Sequence, residues 1–282
     1  MKNTELCPLQ ARKILGFTAK NAYSYARDFV TVARFGLGLG ERLQIMSVLP
    51  QSGAALAGIR TGDILLAAGP HLLAQGPDAE YAAGSAIGDA VQGNTALDIT
   101  VLRSGDNESS IIDVPLTPAC AMVIDLGNTD AVNSYADGRR LMVTRGMLDF
   151  VRSDDELAAV LAREIASNII NLTPQPELSA LIDRLHTLDT VTPAAPEGDA
   201  LLQSSLLQDA AVDRLALYML VRAGYPAKAA RAFWERLATV YPADIRNSHA
   251  ALHAPIAERL AVIDRVIAVI AAKQQNGQPL MP

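Results

Sequence analysis

Ser52-Gly53-Ala54-Ala55-Leu56-Ala57-Gly58-Ile59-Arg60-Thr61-Gly62-Asp63-Ile64-Leu65 is the stretch whose reading decides the fold. Small residues between two glycines predict a short turn of helix, and the Gly-Asp turn then feeds Ile64-Leu65-Leu66 into a buried strand. Upstream, Leu43-Gln44-Ile45-Met46-Ser47-Val48 alternates apolar and polar residues as a half-buried strand does, and the glycine loop Phe35-Gly36-Leu37-Gly38-Leu39-Gly40 leads into it. Downstream the pattern predicts a helix over 79–91, a strand over 97–103, a hairpin turn at Ser104-Gly105-Asp106-Asn107 and a strand over 110–116. Residues 32–117 therefore read as a β-rich domain. Residues 11–33, rich in Ala, aromatics and spaced charges, read as one or two short helices, which makes 1–31 an N-terminal helical segment.

The composition bounds the function. The chain has 282 residues, a formal charge of −6, 50% hydrophobic and 19% charged residues, enough apolar content to exclude disorder and enough length for roughly two domains. Thirty acidic against 24 basic residues, with no Lys/Arg cluster, argue against a nucleic-acid partner. No apolar run reaches the roughly 18 residues that span a bilayer, so no transmembrane segment is expected. The opening residues carry Lys2, Glu5, Arg12 and Lys13 around no long apolar core, unlike a secretory leader.

The quoted stretch, with Gly69 and Leu102-Arg103-Ser104-Gly105 after it, resembles a PDZ domain of the bacterial periplasmic-protease type over about eighty residues. The resemblance implies a peptide or protein ligand held along a strand edge, with Leu37, Gly38, Leu39 and Gly40 as the loop whose backbone N–H groups receive it. A domain that only packs against its neighbour is the alternative.

From residue 118 to the end the pattern is helical apart from a short β segment at 140–144. Ser153-Asp154-Asp155-Glu156 is a capping box that opens a helix running to about Asn171. Helical spacing places Leu157, Val160, Leu161, Glu164 and Asn168 on one face, and Leu206, Asp209, Asp213, Leu217 and Leu220 on one face of the next long helix, which Gly224-Tyr225-Pro226 ends. Further helices are expected over 227–240 and 255–273. Carboxylates on two apolar stripes point to one polar site, or to buried ion pairs with Arg163, Arg214 or Arg259 and nothing more.

Residues 131–260 resemble the HtpX/CAAX-prenyl-protease-like zinc metallopeptidases, which are gluzincins. Asn133-Ser134-Tyr135-Ala136-Asp137-Gly138, Val143-Thr144-Arg145-Gly146-Met147-Leu148 and Asp155-Glu156-Leu157-Ala158-Ala159-Val160-Leu161-Ala162 look like the run-up to that family's active helix. Where the family carries H-E-x-x-H, this chain reads Arg163-Glu164-Ile165-Ala166-Ser167. Asp209-Ala210-Ala211-Val212-Asp213 stands at the E-x-x-x-D position, followed by Ala223-Gly224-Tyr225-Pro226 and His253-Ala254-Pro255-Ile256-Ala257-Glu258-Arg259. The resemblance makes Glu164 the relict general base, Arg163, Ser167 and Asp209 the relict metal positions, and Asp213, His253 and Arg259 their supports. A guanidinium has no lone pair to give zinc, and a serine hydroxyl is a poor ligand. Arg163 is expected to neutralise Glu164 or Asp209 in the place of the lost cation. A replacement metal site using His249 and His253 is a further reading; His71 and His186 read as ordinary surface or core histidines.

Cys7 and Cys120 are the only cysteines. One bridge between them and two unpaired thiols are both compatible with the sequence. The expectation is an α+β chain: a helical segment (1–31), a PDZ-like domain (32–117) and a mostly helical gluzincin-type metallopeptidase-like domain (118–282). Its expected role is that of a zinc-free, catalytically inactive peptide- or protein-binding protein in envelope protein quality control, periplasmic or envelope-associated, with its signal segment absent from this chain. It needs no cofactor. The alternative is an active zinc metalloendopeptidase with non-standard ligands.

Overall fold

The computed structural model describes residues 1–103, 108–171, 175–187, 206–241 and 256–282. The expected turn at 104–107, and His249 and His253, lie outside the described residues. The chain forms two units, Ala11–Ala119 and Lys2–Gln10 with Cys120–Pro282.

In the first unit, β2 (Phe17–Lys20), β3 (Gln44–Val48), β4 (Ile64–Ala68), β6 (Ala96–Leu102) and β7 (Ser109–Pro115) form a sheet in that order, with β5 (His71–Leu72) hydrogen-bonded to β4. β1 (Ala11–Ile14) pairs with β8 (Thr117–Cys120) in a separate ribbon. The helices are α1 (Val30–Leu37), α2 (Gly53–Ala57) and α3 (Ala79–Ala90). The two-residue period of β6 buries Leu97, Ile99 and Val101 while Asp98 faces water, and these pack with Ile45, Leu65 and Val114. Ser52 caps α2, its Oγ accepting from the Ala55 N–H at 3.3 Å. α2 rests directly on β7: a Cβ at Gly53 would come within 1.6 Å of the Pro115 carbonyl oxygen, so only glycine fits.

The strands expected at 43–48, 64–66, 97–103 and 110–116 and the helix over 79–91 lie where the pattern placed them, within about two residues. Residues 11–20 do not. Ala, Arg and Lys favour a helix there, yet the segment is two strands, β1 and β2, because pairing to β8 and β3 overrides local propensity. The N-terminal helical segment is thereby corrected: residues 11–31 belong to the first unit and residues 2–10 to the second.

The second unit holds a small sheet in the order β10 (Ser134–Ala136), β11 (Arg140–Thr144), β9 (Val123–Gly127). β10 and β11 form an antiparallel hairpin, and β9 runs parallel to β11. The expectation of a single β segment after residue 118 is thus corrected by β8, β9 and β10. The helices are α4 (Arg145–Phe150), α5 (Asp154–Ile170), α6 (Pro176–Thr187), α7 (Leu206–Ala223), α8 (Ala227–Val240) and, last, α9 (Ile256–Gln275). The Ser153 Oγ accepts from the Glu156 N–H at 3.3 Å, as the capping box requires, and three acids in the first turn of α5 face the positive end of its dipole. The Glu156 carboxylate closes the turn on the Arg152 N–H (2.8 Å) and pairs with Arg236 of α8 (2.8 Å). Gly224, left-handed at φ 100°, ends α7 while the Tyr225 N–H returns to the Leu220 carbonyl at 3.1 Å.

The N-terminal piece is built into this unit. Leu6 joins its core, Asn3 Nδ2 donates to the Met219 carbonyl at 2.9 Å, and Arg222 donates to the Lys2 carbonyl at 2.8 Å. Cys7 and Cys120 form a disulfide across a sequence separation of 113. All of the first unit is therefore an insertion in the loop that the bridge closes.

Candidate functional site

A cavity of about 710 Å³ opens in the first unit. Its floor and strand wall come from 13–18 and 47–50, and its helix wall is Gly84, Ile87, Gly88 and Val91. β2 lies at one end of the sheet order, with β3 on one side and no strand on the other among the described residues, so it offers backbone N–H and C=O groups along the groove. Thr18 and Ser47, directly opposed in the β2–β3 register, share a 2.7 Å hydroxyl hydrogen bond, and Phe17 lies opposite Val48.

The turn into β2 is built on Gly16. Its φ of 94° is left-handed, and an added Cβ would fall 2.2 Å from the Ser52 Cβ. The Gly16 carbonyl turns inward, accepting from Leu49 N–H at 2.8 Å and Ser52 Oγ at 3.2 Å, and the Leu15 carbonyl accepts from Ala54 N–H at 3.0 Å. The N–H groups of Leu15 and Gly16 find no acceptor among the described residues. Lys13 adds a positive charge to the same lining, its ammonium donating to the Asn94 carbonyl at 2.5 Å. Two backbone donors and a cation at the end of an apolar groove suit an anionic group on an otherwise apolar chain.

The loop expected to receive a peptide lies outside this cavity. Leu37 is the last residue of α1, Gly38 is its left-handed cap (φ 68°), Leu39 is buried against Ala22 and Ala33, and the Gly40 carbonyl accepts from the Ala22 N–H at 3.0 Å. None of the four lines the groove. Leu15-Gly16-Phe17, a glycine between apolar residues ahead of an alternating strand, was the signal for it, hidden by reading 11–33 as helix.

In the second unit, α5, α7 and α9 bring together two guanidinium and three carboxyl side chains, each at most 2% exposed. Arg163 Nη2 lies 2.7 Å from Asp209 Oδ1, its Nη1 3.2 Å from Glu164 Oε1, and its Nε 3.4 Å from Asp213 Oδ1. Arg259 grips Asp213 with two parallel bonds, Nε to Oδ2 at 2.7 Å and Nη2 to Oδ1 at 2.6 Å. Ser134 of β10 donates to Glu164 Oε1 at 2.9 Å. The Trp234 ring lies under both guanidinium carbons, 5.7 Å from that of Arg163 and 5.2 Å from that of Arg259. Burial disfavours the Arg259 charge, but Asp213 above all, then Asp209 and Glu164, outweigh it and hold its pKa above the usual arginine value.

Of the expected site residues, Arg163, Glu164, Asp209, Asp213 and Arg259 meet here. Ser167 does not: it is half-buried one turn away, and its hydroxyl accepts from Asn171 Nδ2 at 3.2 Å. His253 lies outside the described residues. Ser134 and Trp234 belong to the cluster without having been singled out as members of it. Asn168, on the same face of α5, accepts from the Gly138 N–H (2.6 Å) and donates to the Arg140 carbonyl (3.0 Å), fixing the hairpin to the helix.

The described residues do not fit zinc. Each carboxylate of the cluster is already held by a guanidinium, the space beside Arg163, Asp213 and Trp234 is about 10 Å³, and the cluster already contains two permanent cations. No group of three or more His, Cys, Asp or Glu able to hold a metal is found among the described residues, and no described helix is long and apolar enough to cross a membrane.

No protein-family model matches the chain. No curated protein matches it either. Among solved structures, the HtrA3 PDZ domain bound to a phage-derived ligand (FGRWV) is similar to part of it, at 16% identity over 39% of this chain and 88% of that chain, with a TM-score of 0.28. Part of the chain thus bears a weak, partial likeness to a PDZ domain.

Proposed function

We propose that this chain is a peptide-binding protein whose PDZ-like first unit captures the carboxyl end of an extended peptide. The observation that carries the reading is the apolar groove between the free edge of β2 and α3, closed at one end by the open N–H groups of Leu15 and Gly16 beside Lys13. The peptide adds as a strand to β2, its carboxylate takes the two N–H groups, and its apolar side chains enter the space above Gly84 and Gly88.

The second unit is read as a metallopeptidase-like scaffold in which guanidinium stands in for zinc, and no cleavage step is assigned to it. Glu164 Oε1 already accepts from Arg163 Nη1 and from the Ser134 hydroxyl, which supports this, since a general base needs a water to activate. The Cys7–Cys120 bridge supports an oxidising compartment such as the bacterial envelope, with a role in protein quality control there.

Two measurements test the reading. A library of fluorescent peptides with free carboxyl ends should yield binders to the full chain that lose roughly ten- to a hundredfold in affinity when amidated, the scale of a lost charge-assisted hydrogen bond; equal affinity of the amidated forms refutes the carboxylate role. Elemental analysis of protein purified without chelator should find no stoichiometric zinc. Near-equimolar zinc, with peptide cleavage lost in Glu164→Gln, establishes the active metalloendopeptidase instead.

A further inference from the structure

We infer that the second unit carries a separate binding site for a small anionic amphiphile, a single anionic head on an aliphatic body, in the cavity between α7 and α9 formed by Arg214, Tyr218, Arg265, Val262, Val266 and Val269. Three observations converge there. The cavity measures about 450 Å³, inside the range of roughly 300–1,000 Å³ usual for small-molecule sites. Its walls are aliphatic, the three valines and two alanines of α7, apart from two guanidinium groups at the exposed surface. Neither Arg214 nor Arg265, both exposed, has a carboxylate partner among the described residues, whereas the buried or half-buried Arg163, Arg222, Arg231, Arg236 and Arg259 are all paired.

Tyr218 supplies the observation that points to a ligand. It is 1% exposed, it lines the cavity, and its hydroxyl has no hydrogen-bond partner among the described residues. A buried phenol without a partner costs the free protein about 1–3 kcal/mol. A bound head group relieves that cost by accepting from the hydroxyl while the two arginines neutralise its charge. Lys273, whose ammonium lies 5.0 Å over the Tyr218 ring, deepens the positive potential of the same wall. The valines at 262, 266 and 269 follow the i, i+4, i+7 spacing of one helix face, a continuous strip for an alkyl chain.

The test is calorimetric titration of the full chain with dodecanoate and with dodecyl phosphate below their micelle-forming concentrations, and with dodecanol as the neutral control. Saturable one-site binding of an anionic probe, at least tenfold tighter than dodecanol, is expected. The double variant Arg214→Gln/Arg265→Gln should weaken it at least tenfold, and Val266→Trp should abolish it. Tyr218→Phe separates a ligand contact from a structural role: it should weaken binding several-fold while the melting temperature of the free protein stays unchanged or rises. Vesicles of anionic phospholipid distinguish the sources: binding to vesicles with none to the monomeric probes means a membrane surface and overturns the proposal. Equal binding of dodecanol, retention of affinity in the double arginine variant, or no binding of any probe overturns it as well.

Discussion

The Arg163 guanidinium lies 2.7 Å from the Asp209 carboxylate, 46 positions further along the chain, with both side chains 1% exposed. One bond of this kind ties α5 to α7 through the centre of the second unit, and Arg163 reaches Glu164 and Asp213 from the same position. A buried ion pair repays its desolvation only while both partners are present.

Arg163→Ala leaves buried carboxylates without their cation and should destabilise the fold by about 3–5 kcal/mol. Urea unfolding measures it. Because well-packed apolar groups of similar volume replace a buried pair at little cost, Arg163→Met with Asp209→Leu should recover much of the loss; a neutral Arg163→Ala would falsify the structural role.

Breaking the Cys7–Cys120 bridge frees a loop that contains the whole first unit. With 113 residues of separation, the loop-entropy model gives a loss of roughly 4–5 kcal/mol. Thermal unfolding with and without reductant, or of Cys7→Ser/Cys120→Ser, should show a lower transition for the unit that holds residues 2–10. Coincident melting curves would contradict the bridge.

Gly84 and Gly88 sit four apart on α3, where an added Cβ meets nothing within 4 Å. Alanine at either site should stabilise the helix by about 0.5–1 kcal/mol, since glycine gives up more backbone entropy. Gly88→Leu should keep the stability gain and lose peptide binding by filling the groove. A Gly88→Leu protein that binds peptide as the parent does places the ligand elsewhere.

Acid should act on the second unit through Glu156 and Asp137. The Arg236 guanidinium, against the opposing effect of burial, holds Glu156 below its ordinary 4.5; for Asp137, burial pushes the pKa up but hydrogen bonds from the Arg140 and Arg139 N–H groups, the Ser179 hydroxyl and the Arg140 guanidinium bring it below 3.8. A carboxylate with a depressed folded pKa adds stability that is fully present above its unfolded pKa and is lost as pH falls through the folded one. Urea midpoints should therefore be level with respect to these groups near pH 6 and drop from about pH 4.5 downward. In Glu156→Gln the midpoint should start lower and fall less; an unaltered acid slope would count against the pairing.

Helices announced themselves through local chemistry. Ser153 and Glu156 mark the start of α5 and Gly224 the end of α7, because a cap is satisfied by residues within one turn. Short strands did not: β1, β2, β9 and β10 span three to five residues each, and their pairing brings in partners such as Val123 against Arg140 that no local window contains. The groove was missed for the same reason, since reading β2 as helix concealed the Gly16 turn.

The sequence by itself determined the helical stripes, the carboxylates on them, and the place of Arg163 and Ser167 on α5, because those follow from residue identity at fixed helical spacing. Only the tertiary structure decided that Arg163 holds Glu164, Asp209 and Asp213 together, that Ser167 stands apart, that Arg214 points to another cavity, and that the groove begins at Leu15 and not at Leu37. Such outcomes depend on which distant segments meet, and a side chain's charge or a glycine's freedom does not specify its partner until the backbone has brought one within about 3 Å.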